Sequence, residues 1–405
     1  MKDFIKAIQE FCKKNWVKNL SKGIFFVAIG GVTWGFLGNK FTEWFNNKTK
    51  EGDKYVAIVI TNKSDESFTI PQEFRVGFGI NEASFNTIRS SQLIKYVADD
   101  DALSTKQAEI VANKYIADPN CVLIIGNSTS TLSEVTLNAI LSMDSKLEKP
   151  GFILPIATAD NIIDKAKDQG YGAILRMMPN NEQQATTIKN FIFQKFPVNP
   201  KVVIYVDEDN LTYSQNLSQK ISDKILKYSG TVLLKKNYGN SNRLINDFGL
   251  ITGNNLKPDI IVFVGISTNG SLIMEESKTL KIRTPIIFTD GCTVKSLMDK
   301  SRKNPNHFYI SAVQKPNNEN DAPTYQPVGK DARILSKVII NKIEGDITRK
   351  SVYDYIVKMK KDNTMIMDDG NAGKYQFNDM GENIKMFWKV YHYENGVLTL
   401  DYENN

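Results

Sequence analysis

The chain has 405 residues, 41% of them hydrophobic and 24% charged, which excludes a disordered polymer and is enough for two lobes with cores of their own. The formal net charge of +6 owes much to Lys2, Lys6, Lys13, Lys14, Lys18 and Lys22, opposed there by Asp3 and Glu10; no later basic run is interleaved with aromatics, so a nucleic-acid partner is excluded. Cys12, Cys121 and Cys292 are far apart, and His307 and His392 lack a second ligand type at metal spacing, which argues against a disulfide framework, a metal site or any other cofactor.

Gly23 to Asn39 (GIFFVAIGGVTWGFLGN) carries no charge and follows the lysines. That polarity predicts a membrane helix over 23–39, with 1–22 as a basic cytoplasmic segment and 40–53 as a linker. Its length sits at the lower edge for a span and overlaps the core of a signal peptide. No small-residue cleavage site follows Leu37 and no lipoprotein cysteine stands there, so the expectation is an uncleaved, single-pass anchor in the cytoplasmic membrane. The rest of the chain then lies in the periplasm or extracellular space. A buried cytosolic helix is the rival reading, and it fits poorly with Gly30-Gly31 and the charge asymmetry.

Beyond the linker, Tyr55–Ile60, Leu93–Val97, Val122–Ile125, Gly151–Pro155, Val202–Val206, Asp259–Val264 and Pro285–Phe288 are short runs rich in Val and Ile. Such runs predict buried parallel strands. Helical patterns separate them at Gln72–Phe85, Thr105–Ile116, Ser133–Leu141, Asn181–Phe193, Ser214–Tyr228 and Asn269–Thr279. Alternation of this kind means βαβ crossovers. The series divides at Ile174–Pro179, which predicts an α/β protein of two doubly wound lobes. A later helix, Asp331–Ile343, returns to the first lobe, and Gly373–Phe377 and Phe387–Leu400 alternate like antiparallel edge strands. The expected lobes are 54–176 with 316–373 and 177–315 with 374–405, joined by a multi-strand hinge.

Open α/β sheets bind ligands beyond the carboxyl ends of their strands. The first such exit is Gly126 to Thr131 (GNSTST), where Ser128, Ser130 and free backbone N–H groups suit a carboxylate; Thr131 and Glu134 have the spacing of a capping box, and helix capping is the alternative use of these hydroxyls. The second is Ile156 to Asp160, with Thr158 offering hydroxyl and N–H to an anion or simply capping. The third, Val206 to Tyr213, holds Asp207, Glu208 and Asp209, an expected solvated loop, and Tyr213 as an aromatic lid. The fourth is Thr289-Asp290-Gly291, where a carboxylate faces a ligand ammonium or closes an Asx turn. Ser267 is a weaker fifth. Donors on one lobe, with an acid and an aromatic on the other, complement a zwitterion.

These residues in this order resemble the leucine/isoleucine/valine-binding family of type I periplasmic binding proteins, receptors of branched-chain amino acid ABC importers. The resemblance runs from about Tyr55 to the C-terminus. It is carried by Ala98–Asp101, AEIVANKYIADPNCVLIIG, GNSTST, LPIATA, GAILRMMP, VVIYVDEDNLTYS, PIIFTDG, GKYQF and YENGVL. It implies the type I periplasmic binding fold, with Ser130 contacting a ligand carboxylate, Ala157 and Thr158 holding carboxylate and amino group, Tyr213 covering the ligand and Asp290 meeting the ammonium. Two departures stand out: Asn62–Ile70 lacks the glycine-rich stretch usual there, and Gly77 and Gly79 fall in an unusual place. The function implied is capture of an amino acid or similar small ligand for ABC permease subunits. A membrane-tethered sensor regulating a partner protein is the alternative. No nucleophile with a nearby base and no glycine-rich phosphate loop are present, so an enzyme is not expected.

Overall fold

A computed structural model describes residues 54–62, 69–80, 89–90, 95–239, 242–252, 257–313 and 323–403. The expected anchor at 23–39 and its flanks 1–22 and 40–53 lie outside the described residues, as does most of the loop Asn62–Ile70. Among the described residues no helix is long and apolar enough to cross a membrane.

The first sheet contains β1 (Tyr55–Val59), β2 (Arg89–Ser90), β3 (Lys95–Asp99), β4 (Cys121–Gly126), β5 (Gly151–Leu154) and β6 (Ile174–Arg176), ordered β2-β3-β1-β4-β5-β6. All neighbours run parallel except β2 on β3. Sequences such as CVLIIG in β4 show no polar alternation because every residue is buried. Between the strands run α1 (Ile70–Phe78), α2 (Thr105–Ala117), α3 (Ser130–Leu141) and α4 (Asp160–Asp168). The strand order reverses at β1, so the crevice lies beyond its carboxyl end and that of β4.

After α5 (Asn181–Lys195) the chain builds a second sheet from β7 (Lys201–Asp207), β8 (Thr231–Tyr238), β9 (Ile260–Val264), β10 (Ile286–Phe288) and β11 (His307–Ser311). Helices α6 (Leu211–Lys227), α7 (Phe248–Thr252), α8 (Ser267–Thr279) and α9 (Lys295–Lys300) connect them. Then α10 (Gln326–Asn341) packs on α1, and α11 (Arg349–Lys361) on β4 and β5, back at the first sheet. Past the short pair β12 (Met365–Met367) and β13 (Tyr375–Gln376), the hairpin β14 (Lys389–Glu394) and β15 (Val397–Glu403) closes the second sheet antiparallel to β11. The second order is β15-β14-β11-β10-β9-β7-β8, with its reversal between β7 and β9.

Several expectations need correction. The helix expected over Gln72–Phe85 stops at Phe78, because Gly79 takes a left-handed conformation (φ 85°) and its N–H bonds back to Arg75 and Val76 carbonyls. Phe387–Leu400 is not one strand: Asn395 and Gly396, both at positive φ, turn it into the β14–β15 hairpin. The helix expected from Asp331 begins at Gln326, with Pro327 in its first turn. Strands β6, β8 and β11 and helices α4 and α11 escaped the sequence pattern. Gly77 is explained by packing, since a Cβ there would stand 1.8 Å from the Gln326 carbonyl oxygen.

Candidate functional site

The carboxyl ends of both sheets converge on one narrow cavity of about 20 Å³. The first sheet contributes Ser128, Thr129 and Ser130 after β4, Ile156 and Thr158 after β5, and Ile70 at the start of α1. The second contributes Asn210, Tyr213, Ile266, Asp290 and Gly291. Tyr325, immediately before α10, completes the lining, which contains no lysine or arginine among the described residues.

Ser130 is the first residue of α3, and Thr129 caps that helix by accepting the Leu132 N–H at 3.3 Å. The expected Thr131–Glu134 capping box is therefore not formed. Ser130 Oγ instead accepts the N–H groups of Thr158 (3.2 Å) and Ala159 (3.4 Å), joining the β4 and β5 exits. With its lone pairs engaged, the hydroxyl has a proton to donate toward an acceptor in the cavity. Behind it, Ser128 is held by Thr61 and Asp101: the Thr61 N–H donates to Ser128 Oγ at 2.8 Å, Ser128 Oγ donates to Thr61 Oγ1 at 2.7 Å, and Thr61 Oγ1 donates to Asp101. Burial raises the Asp101 carboxyl above the usual range, and these donors oppose the shift. Ser128 is thus chiefly a brace between the exits of β1, β3 and β4.

On the facing side Asp290 is 4% exposed. Its Oδ1 accepts from Gln184 Nε2 at 2.8 Å and from the Tyr213 hydroxyl, and its Oδ2 accepts from Tyr325 Oη at 3.3 Å. Burial raises the Asp290 pKa and these three donors hold it down. The phenols of Tyr213 and Tyr325 are pushed well above their ordinary value by burial and by the Asp290 charge, so both stay protonated as donors. The cradle overrules a side-chain Asx turn as the main use of Asp290. Tyr213 lies in the first turn of α6 and is 3% exposed, so it orients the acid rather than flapping as a lid. Tyr325 is fixed in turn by Glu73 of α1, whose Oε2 accepts the Tyr325 N–H at 2.8 Å and whose carboxyl burial pushes up to about 7.

In the acidic run at the end of β7, expected to be a solvated loop, Asp209 is exposed and Glu208 partly so, but Asp207 is not. Asp207 is fully buried, accepting the N–H of Ile266 (2.8 Å), the N–H of Asp209 (2.9 Å) and Asn269 Nδ2 (2.7 Å). It braces β7 against β9 as Asp101 braces β3 against β4. Polar contacts also connect the α3 and α6 ends: Thr131 Oγ1 donates to Asn210 Oδ1 (3.0 Å), and Thr212 Oγ1 to Glu134 Oε2 (3.0 Å).

Two sheets with cavity-facing carboxyl ends also occur in solved structures. No family model matches this sequence, and no curated protein matches it. Among structures, the branched-chain amino acid transporter substrate binding protein LivJ from Streptococcus pneumoniae, in complex with isoleucine, is 17% identical with a TM-score of 0.67, covering 87% of this chain and 100% of that one. The leucine binding protein LivK from Thermotoga maritima gives 17% and 0.68, over 87% and 99%. A solute binding protein from R. palustris in complex with benzoate gives 14% and 0.66, over 87% and 96%. The fold is that of the type I periplasmic binding proteins. The resemblance read from the sequence holds at this level.

Within this type I periplasmic binding fold, Ser128, Ser130, Thr158, Tyr213 and Asp290 reach the same cavity. Ala157 and Ser267 are buried beside it but do not line it; their neighbours Ile156, Thr158 and Ile266 do. Tyr325, Gln184, Asn210 and Glu73 had not been singled out. Tyr325 follows a polar stretch with no local signal, and Gln184 reads as an ordinary polar helix position.

Proposed function

We propose that the chain is an extracytoplasmic solute-binding protein that captures an amino acid or similar small zwitterion for an ABC importer, and not an enzyme. The observation that carries this reading is the pairing, in one cavity, of hydroxyl donors at Ser130 and Thr158 with a buried carboxylate at Asp290. The donor wall complements a ligand carboxylate, and Asp290, the one charged residue of the lining among the described residues, complements an ammonium. Ile70, Ile156 and Ile266 supply apolar surface for an aliphatic side chain. The neighbours' ligands support an amino acid in the case of LivJ, while the benzoate complex shows that the fold also serves an anion without an ammonium. Asp290 favours the amino acid.

Titration calorimetry with the twenty amino acids and with benzoate tests the reading. An amino acid is expected to bind one per chain, and Asp290→Asn, which keeps the shape and one acceptor, is expected to lose on the order of 3 kcal/mol of binding energy. Binding of benzoate alone, or an Asp290→Asn affinity equal to wild type, would overturn it. Genomic proximity to permease and ATPase subunits would separate delivery to an importer from sensing.

A further inference from the structure

Arg176, the last residue of β6, is fully buried and does not line the cavity. Its Nη2 donates to the Ala159 carbonyl at 2.6 Å and its Nη1 to the Thr158 carbonyl at 3.3 Å. Those are the two residues whose N–H groups meet Ser130 Oγ. The same Nη1 lies 3.3 Å from Glu382 Oε1, which also accepts Asn180 Nδ2 at 2.9 Å. Backbone bonds bind the same place: Arg176 N–H to the Gly381 carbonyl at 2.7 Å and Asn383 N–H to the Arg176 carbonyl at 3.2 Å. Arg176 therefore sits where the chain leaves the first sheet for the second and where the later passage, after β13, runs beside it.

A buried guanidinium is costly unless its donors are used, and a core strand needs none. This one leaves Nε without a hydrogen-bond partner while spending both terminal nitrogens on a single loop and on Glu382. Its placement suits the loop rather than its own full satisfaction. We propose that Arg176 is a positioning residue for the cavity: it grips the peptide carbonyls at 158–159 so that the N–H edge faces Ser130, whose hydroxyl is thereby aimed at the ligand, and through Glu382 it ties that edge to the two passages between the sheets. The orientation of the donor wall is then linked to the relative setting of the sheets. Opening changes the donors as well as the distance across the cavity. This rests on the reading of Ser130 and Thr158 as the donor wall.

The full chain and its Arg176→Lys and Glu382→Gln variants are compared in two measurements. Lysine keeps the charge but cannot hold both carbonyls and Glu382 in a planar fork. Hydrogen exchange of the ligand-free protein is expected to show Thr158 and Ala159 amides exchanging about tenfold faster in Arg176→Lys, with 151–154 unchanged. Calorimetry with L-leucine and L-isoleucine as probes is expected to keep one site per chain while Kd rises about tenfold, with a smaller rise in Glu382→Gln; loss of folded protein would lower the stoichiometry instead. Unchanged exchange at 158–159, or unchanged Kd in a wild type that binds, would overturn the proposal. If wild type binds neither probe, the exchange measurement still decides the role of Arg176, and the amino acid reading fails separately. If Arg176→Lys does not fold, Glu382→Gln carries both measurements, and exchange at 158–159 unchanged there counts against the proposal.

Discussion

Glu73 contributes its acidity at a distance, by fixing the backbone of Tyr325, whose hydroxyl serves Asp290. Its folded pKa of about 7, against an ordinary 4.5, has burial as the largest cause. Because the folded value is raised, the folded state holds the proton more tightly than the unfolded one, so stability is lost as pH climbs through this window and is level above it. The loss assignable to Glu73 is on the order of 3 kcal/mol. Asp207, raised to about 6 by burial, acts with the same sign. Chemical denaturation at about pH 5 and about pH 8 should show wild type losing stability and Glu73→Gln losing measurably less; equal losses would mean that Glu73 ionises as freely folded as unfolded. Asp290 has its chemistry announced by PIIFTDG, but its three donors come from α5, α6 and the approach to α10, and no local pattern names them.

At the scale of elements, the pair α1 and α10 brings Ile70 and Tyr325 to the cavity. Their approach is close because both faces carry glycine: a Cβ on Gly329 would stand 2.1 Å from the Phe74 carbonyl oxygen, and backbone on both sides leaves nothing flexible to give way. Gly329→Ala is therefore expected to destabilise the fold by about 3 kcal/mol. Gly249→Ala in α7, where a new Cβ meets nothing within 4 Å, is the control. Thermal melts showing equal midpoints for the two variants would contradict this packing. Gly77 looked like a departure from the family pattern in the sequence, and it marks the same contact. The strands β6 and β8 were illegible for different reasons: β6 is three residues long, and β8 alternates over a half-exposed edge with lysines on it, so neither presents a buried apolar run.

For the whole molecule, the contacts of Thr131 with Asn210 and of Thr212 with Glu134, together with Lys220 at 3.7 Å from Asp160, join helices of one sheet to helices of the other, and of these residues Asn210 alone lines the cavity. They favour the arrangement seen here over a more open one whether or not ligand is present. The neutral Thr131–Asn210 bond is worth about 1 kcal/mol and the Thr212 bond to the Glu134 carboxylate about 2 kcal/mol, so the Thr131→Val, Thr212→Val double variant should shift population toward open forms and weaken ligand binding about tenfold or more. Small-angle scattering of the ligand-free double variant should give a larger radius of gyration; a profile identical to wild type would show these bonds to be passive.

The sequence by itself determined the alternation of strands and helices and five of the twelve residues that line the cavity, because buried parallel strands need unbroken apolar runs and their exits need turn and capping chemistry written locally. Tertiary structure alone decided what those residues do. It turned Asp207, the first of the acidic run at the end of β7, into a buried brace, made Tyr213 a partner of Asp290, and placed Tyr325, Glu73 and Arg176 around the site. Their roles depend on hydrogen bonds between segments far apart in the chain, which leave no periodicity to read. Arg176 alone gave a hint, as a charge inside an apolar run, and only the carbonyls it holds say why it is there.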